Sequence, residues 1–164
     1  MTDAADTVLA SGDRKGLEAA HVRLLAQARY RLAIYLPVLE PGMLDSDAIH
    51  AELRRIATSG RAAQVRILTH DAERAHREGH RLIALAQRLP TAISLRVPTE
   101  ESHLRYGSAF TTDTVSGFLF RPVASRYEAS GSLDAAGETS RLTDYFDEVW
   151  ERAEPAWQIR PLGI

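Results

Sequence analysis

The strongest constraint on the fold is an alternation of short apolar runs with helix-length segments across residues 31–98. The runs are RLAIYLP (31–37), QVRILTHD (64–71) and AISLRVP (92–98). The first is unbroken apolar from Leu32 to Leu36, a pattern typical of a strand buried on both faces. The segments between the runs repeat apolar residues at helical spacing. A β-α-β-α-β order of this kind forms parallel strands with right-handed crossovers, so we predict an α/β domain.

The flanking segments complete the predicted architecture. Residues 1–13 are expected to be a loose lead-in, followed by a helix. After Pro98, GSAFTTD and SGFLFRP are separated by the turn DTVSG, which predicts an antiparallel hairpin, and YFDEVWERAEP predicts a closing helix. We therefore predict a single domain over residues 1–164. It would have three layers, αβα, and a mostly parallel sheet with an added antiparallel hairpin.

Composition excludes several classes of function. The net charge is −2, which argues against a nucleic-acid partner and against a membrane-surface partner. The chain has no cysteine, so disulfides and thiolate chemistry are excluded. The start, MTDAADTVLASGD, is too polar for a signal peptide, and no apolar run approaches a membrane span, so we expect a cytoplasmic protein. Neither glycine-rich phosphate loop is present and HREGH lacks the zinc-protease pattern, so no cofactor or metal is predicted.

A ligand pocket is expected at the carboxyl ends of the parallel strands, where open α/β sheets bind ligands. His70 and Asp71 lie at the carboxyl end of the second strand, and His103 follows the third. Arg121 and Tyr127, from the hairpin region, are predicted to lie nearby. Each residue also has a purely structural interpretation. Asp71 would cap a helix, the histidines would be solvated in loops, and Arg121 would be an exposed strand end.

Four segments carry a resemblance to a known superfamily. They are RLAIYLP, VRILTHD followed by GHRLIALAQRLP, SAFTTDTVSGFLFRP, and YFDEVWERAEP. Together they resemble one half of the phospholipase D-like fold, across roughly residues 17–157. More narrowly, the chain is similar to a bacterial domain of uncharacterised function that occurs alone or behind a GNAT-type acetyltransferase domain.

The resemblance implies a catalytic signature, His-x-Lys-x4-Asp. In the superfamily the histidine attacks phosphorus, the lysine neutralises the non-bridging oxygens, and the acid supports the site. Two half-domains meet, so that the second histidine protonates the leaving group. This pairing implies that a lone half-domain has a surface suited to self-association.

This sequence does not complete the signature in either register. Counting from His103 puts Arg105 in the lysine place and Phe110 in the acid place. Counting back from Asp113 puts Tyr106 in the histidine place and a serine in the lysine place. His103, Arg105 and Asp113 are therefore the candidate catalytic residues, but the spacing predicts that they do not form a working site.

We predict a non-catalytic phospholipase D-like domain that acts as a binding, regulatory or accessory module. Its predicted partners are a second copy of the chain, in a homodimer, and an acetyltransferase-type domain or protein. Two alternatives stay open at this point. One is a divergent phosphodiesterase or nuclease-like hydrolase, and the other is a sensor that holds a small anion through arginine and helix N-termini.

Overall fold

The computed structural model describes residues 4–156, with side chains described from residue 6 onward. The helices are α1 (Ala4–Thr7), α2 (Arg14–Gln27), α3 (Asp47–Ala57), α4 (Ala72–Arg77), α5 (Arg81–Arg88), α6 (Glu101–Leu104) and α7 (Ala136–Arg152). The strands are β1 (Val8–Ser11), β2 (Arg31–Tyr35), β3 (Gln64–Leu68), β4 (Ile93–Val97), β5 (Ala109–Thr112), β6 (Phe118–Arg121), β7 (Ala129–Ser132) and β8 (Glu154–Pro155). None of the helices in this described part is both long and apolar enough to cross a bilayer.

The strands form one sheet in the order β1-β7-β6-β5-β2-β3-β4-β8. The predicted parallel core is confirmed, because β2 pairs with β3 and β3 with β4 in parallel. The prediction of a mostly parallel sheet is wrong, because the other five neighbouring pairs are antiparallel. The difference arises because the hairpin β5–β6 continues into β7, and because two short strands close the sheet edges.

The segment expected to be a loose lead-in contributes one of these edge strands. Residues 8–11 form β1, which pairs antiparallel with β7 and buries Leu9 in the core. Asp13 then caps α2, because its Oδ1 accepts a hydrogen bond from the Gly16 amide at 2.7 Å. A buried leucine and a capped helix start therefore order this segment.

Two apolar cores lie on opposite faces of the sheet. Alternation along β2 directs Ile34 to one face and Tyr35 to the other. Helices α2, α3 and α5 supply the larger core, which contains Ile34. Helix α7 supplies the smaller one, where Phe146 and Trp150 pack against Tyr35 and its neighbours. Helices on both faces leave the ends of the strands as the places where a ligand could enter.

Candidate functional site

The candidate site is a group of histidines and tyrosines at the carboxyl edge of the parallel strands. Tyr35 is the last residue of β2, and its hydroxyl lies 3.0 Å from His70 Nε2. The same hydroxyl donates a hydrogen bond to the backbone carbonyl of His103 at 3.3 Å. One buried tyrosine therefore joins the loop after β3 to the short helix α6 after β4, at the edge where open α/β sheets bind ligands.

Two further tyrosines complete this group. The Tyr106 ring lies 5.0 Å from the Tyr35 ring and 4.8 Å from the Tyr145 ring, measured between centroids. The His103 ring meets Tyr145 edge-on at 6.3 Å. We call these five residues the carboxyl-edge cluster. Aromatic rings at these separations stabilise one another, so the cluster is a packed unit rather than an open cleft.

Burial favours the uncharged form of four members of the carboxyl-edge cluster, which are Tyr35, His70, Tyr106 and Tyr145. Burial, with a smaller contribution from Tyr145, raises the pKa of Tyr106 to about 12. Burial also raises the pKa of Tyr35 and of Tyr145 above the usual range. Burial lowers the pKa of His70, which favours its neutral form at pH 7. These groups can donate and accept hydrogen bonds, but they offer no charge to a phosphate.

His103 and Arg105 do not act together in this structure. His103 lies in α6 and is only 5% exposed, and its Nδ1 has no hydrogen-bond partner among the described residues. Its Nε2 lies 3.8 Å from the Glu100 carboxylate. The Arg105 side chain is 74% exposed and forms an ion pair with Glu101. The guanidinium expected to neutralise a phosphate is therefore engaged in a solvated pair.

Asp113 has a structural role at a turn. Its Oδ1 accepts hydrogen bonds from the backbone amides of Val115, Ser116 and Gly117 at 2.8–2.9 Å. Its Oδ2 accepts a fourth bond from Gln27 Nε2 at 2.7 Å. With four donors on one carboxylate, Asp113 holds the turn between β5 and β6 and ties it to α2.

Asp113 and His103 lie at opposite edges of the sheet. Strand β5 runs antiparallel to β2, and Phe110 pairs with Tyr35 at the carboxyl end of β2. Asp113 lies three residues after Phe110, just beyond the end of β5 and roughly 10 Å towards the opposite edge. The carbonyl of His103 is bonded to Tyr35, so His103 stays at the carboxyl edge. The structure therefore does not bring this acid and this imidazole to one site.

The predicted pocket residues divide between two places. His70 belongs to the carboxyl-edge cluster, and beside it Asp71 lines a groove of about 180 Å³. Asp71 also caps α4, because its Oδ1 accepts a bond from the Arg74 amide at 3.0 Å. Arg121 lies on the other face of the sheet, two residues after Leu119 of the larger core.

Arg121 is a buried cation. It is 3% exposed, and its Nη1 donates to the carbonyl of Arg126 at 3.2 Å. Its Nη2 has no partner among the residues that the structure describes, and burial lowers its pKa. Nearby, Tyr127 is half-exposed and its carbonyl accepts a bond from Ser11 Oγ at 2.6 Å. Arg121 is thus buried on the face of the sheet that carries the larger core and is not part of the carboxyl-edge cluster.

Three members of the carboxyl-edge cluster were not predicted as site residues: Tyr35, Tyr106 and Tyr145. A signal for one of them was present, because Tyr106 occupies the histidine place when the signature is counted back from Asp113. Tyr35 carries a hydroxyl within the otherwise aliphatic run from Leu32 to Leu36, and a buried tyrosine hydroxyl usually has a hydrogen-bond partner. Among residues 4–156, no group of three or more histidine, aspartate or glutamate side chains is placed to hold a metal.

A comparison with protein families identifies the family to which the chain belongs. A family model described as a domain of unknown function, DUF7931, matches residues 13–162. The chain belongs to this family. No curated protein matches the sequence with statistical significance.

Three solved structures share the fold. TrmBL2, an archaeal chromatin protein described as showing a novel mode of DNA binding, is similar with a TM-score of 0.65 and 15% identity, over 93% of this chain and 53% of that one. NucT from Helicobacter pylori has a TM-score of 0.60 and 11% identity, over 91% of this chain and 97% of that one. Nuc from Salmonella typhimurium, a phospholipase D family member, has a TM-score of 0.50 and 10% identity, over 84% and 89%. The chain spans about half the length of TrmBL2.

These likenesses concern the fold alone, because all three identities are 15% or lower. At that level the predicted likeness in fold to phospholipase D family members is confirmed, although the sheet is mostly antiparallel. The predicted link to an acetyltransferase domain stays a prediction.

Proposed function

We propose that this chain is a non-catalytic binding domain on a phospholipase D-like fold. The observation that carries the proposal is the composition of the carboxyl-edge cluster. Tyr106 stands in the histidine place of the signature, and Ser108 stands in the lysine place. The cluster holds tyrosines and a neutral histidine where phosphodiester hydrolysis requires a nucleophile and a cation.

The chemistry of these groups opposes hydrolysis. A tyrosine with a pKa of about 12 is ionised to about one part in 10⁵ at pH 7, so Tyr106 is a poor nucleophile. His103 is buried behind Tyr145 and Glu100, which limits access to an incoming phosphorus atom. Arg105, the nearest basic residue in sequence, pairs with Glu101 in solvent. His103 and Arg105 would therefore give a phosphodiester neither an accessible nucleophile nor an unpaired cation.

The similarity to TrmBL2 supports a binding role. That protein is described by its chromatin association and its DNA binding, not by a hydrolytic activity. The same fold thus occurs in a protein known for binding. For this chain we propose a regulatory or accessory role, with the predicted homodimer and the predicted acetyltransferase-type partner as its assemblies. Light scattering on the purified chain tests the first, and a pull-down with the candidate partner tests the second.

The proposal is tested by hydrolysis of bis(4-nitrophenyl) phosphate at neutral pH, with a phosphodiesterase as positive control. We expect no release of nitrophenol above buffer for the wild-type chain. The matched variants are His103→Ala in the cluster and Arg77→Ala on the exposed side of α4. Turnover that disappears in His103→Ala and persists in Arg77→Ala would show that the divergent-hydrolase alternative is correct.

A further inference from the structure

A second, separate cleft lies at the amino edge of the sheet, where β2 begins. Its volume is about 530 Å³, within the usual range for small-molecule pockets. One wall is formed by residues 27–31, between the end of α2 and the start of β2, and the other by residues 113–116. The cleft therefore lies at the edge opposite the carboxyl-edge cluster. Of the three candidate catalytic residues, Asp113 lines it, and His103 and Arg105 do not.

The charge of this cleft is positive. Arg29 and Arg31 both line it and both are exposed, and neither guanidinium forms an ion pair or a hydrogen bond with any residue in the described range 4–156. The single carboxylate in the lining belongs to Asp113, which already accepts four hydrogen bonds. Two free guanidiniums with no available counter-charge favour an anionic ligand, and guanidinium binds phosphate oxygens in bidentate fashion.

An aromatic ring lies between the two arginines in sequence. Tyr30 is 45% exposed and lines the same cleft. The Arg31 guanidinium carbon lies 5.6 Å from the centre of the Tyr30 ring. An exposed tyrosine beside arginine is a combination that stacks planar bases while it binds the adjoining phosphates.

The opposite wall of the cleft is held in place. The amides of Val115 and Ser116 are bonded to Asp113, so the loop cannot open without breaking these bonds. Thr114 adopts a φ of 67°, a left-handed conformation that is unusual for a β-branched residue. A wall fixed before binding lowers the entropic cost of holding a ligand.

We propose that the amino-edge cleft binds a free nucleoside phosphate. Arg29 and Arg31 hold its phosphates, and Tyr30 stacks on its base. A free nucleotide is favoured over a polynucleotide because two arginines line the cleft and the net charge of −2 gives no overall basic excess for a longer phosphate backbone. The proposal rests on the proposed binding role and gives it a ligand class.

The test is calorimetric titration of the full chain with ATP, adenosine and tripolyphosphate in metal-free buffer. We expect one saturable site for ATP, with adenosine and tripolyphosphate each bound about tenfold more weakly or worse. Arg29→Ala, Arg31→Ala and Tyr30→Ala should each weaken ATP binding about tenfold. Arg105→Ala, which removes an exposed arginine at the opposite edge, should leave it unchanged. Thermal melts confirm that these surface variants are folded.

Several results would overturn the proposal. They are the absence of saturable ATP binding at millimolar concentration, equal affinity for tripolyphosphate and ATP, and equal loss of affinity in Arg105→Ala. A single-stranded oligonucleotide that binds more tightly than ATP would overturn the assignment to a free nucleotide. Hydrolysis of bis(4-nitrophenyl) phosphate is a separate readout. Hydrolysis would refute the non-catalytic role and would leave the result of the ATP titration as it is. A failed ATP titration would refute the nucleotide site and would leave the result of the hydrolysis assay as it is.

Discussion

The replacement Asp113→Ala is expected to destabilise the fold far more than an ordinary loop substitution. Asp113 is 6% exposed and its carboxylate accepts four hydrogen bonds at 2.7–2.9 Å. Three of them close the turn between β5 and β6, and the fourth joins that turn to Gln27 of α2. Removal of the carboxylate breaks all four bonds at once.

The magnitude follows from how many of the donors water can reach. Val115 is exposed, so its amide can be solvated after the substitution. The bond to the Gly117 amide is buried and the one from Gln27 is partly buried, so these donors would lose their partner without full compensation. Each buried unsatisfied donor costs about 1–3 kcal/mol, so the two together give a loss of about 2–6 kcal/mol in the free energy of unfolding.

Urea denaturation of matched variants measures this loss. Asp71→Ala removes an aspartate with one capping bond, from the Arg74 amide, and should cost about 1 kcal/mol. Asp113→Asn keeps an acceptor for the backbone amides but places a second donor opposite Gln27, so an intermediate loss of about 1–2 kcal/mol is expected. If Asp113→Ala costs no more than Asp71→Ala, the assignment of Asp113 as the organiser of this turn is refuted.

Two further predictions concern stability. Burial, aided by the nearby Arg121 charge, lowers the pKa of His21 to about 3, below the ordinary 6.5. Between these two pH values the His21 of the unfolded chain binds a proton that the buried His21 does not. The free energy of unfolding therefore falls as the pH falls, by about 3 kcal/mol from pH 7 to 4.5. Urea midpoints of His21→Met should depend less on pH than those of the wild type, and parallel curves would contradict this. A Cβ at Gly131 would lie 2.1 Å from the Phe118 carbonyl oxygen, so Gly131→Ala should lower the melting temperature. Gly137→Ala, where a Cβ meets no atom within 4 Å, should leave it equal or raise it, and equal melts for the two variants would argue against the close approach.

The central part of the fold was predictable because its signals are local. The apolar runs and the helical spacing between them lie within short stretches of chain, and they correctly indicated β2, β3 and β4 with their crossover helices. The strands β1 and β8 were harder to assign. Each is short, and each is a strand only because a distant segment offers a free sheet edge.

The candidate site was predictable only in part. His70 follows a predicted strand and lies at the expected edge, bonded to Tyr35. His103 and Asp113 are ten residues apart in sequence, and no local pattern shows that β5 leads the chain from the edge where His103 lies to the opposite edge, where Asp113 lies. The burial of Arg121 depends on packing beneath α2, which its exposed-looking position before a proline does not reveal.

The sequence by itself determined the parallel β-α-β-α-β core and the incomplete catalytic signature, because periodicity and spacing are properties of neighbouring residues. Only the tertiary structure decided the antiparallel majority of the sheet, the tyrosines that join the two histidines, and the cleft at the amino edge. These features depend on which distant segments pair across the sheet, and strand direction then sets the edge that each side chain reaches.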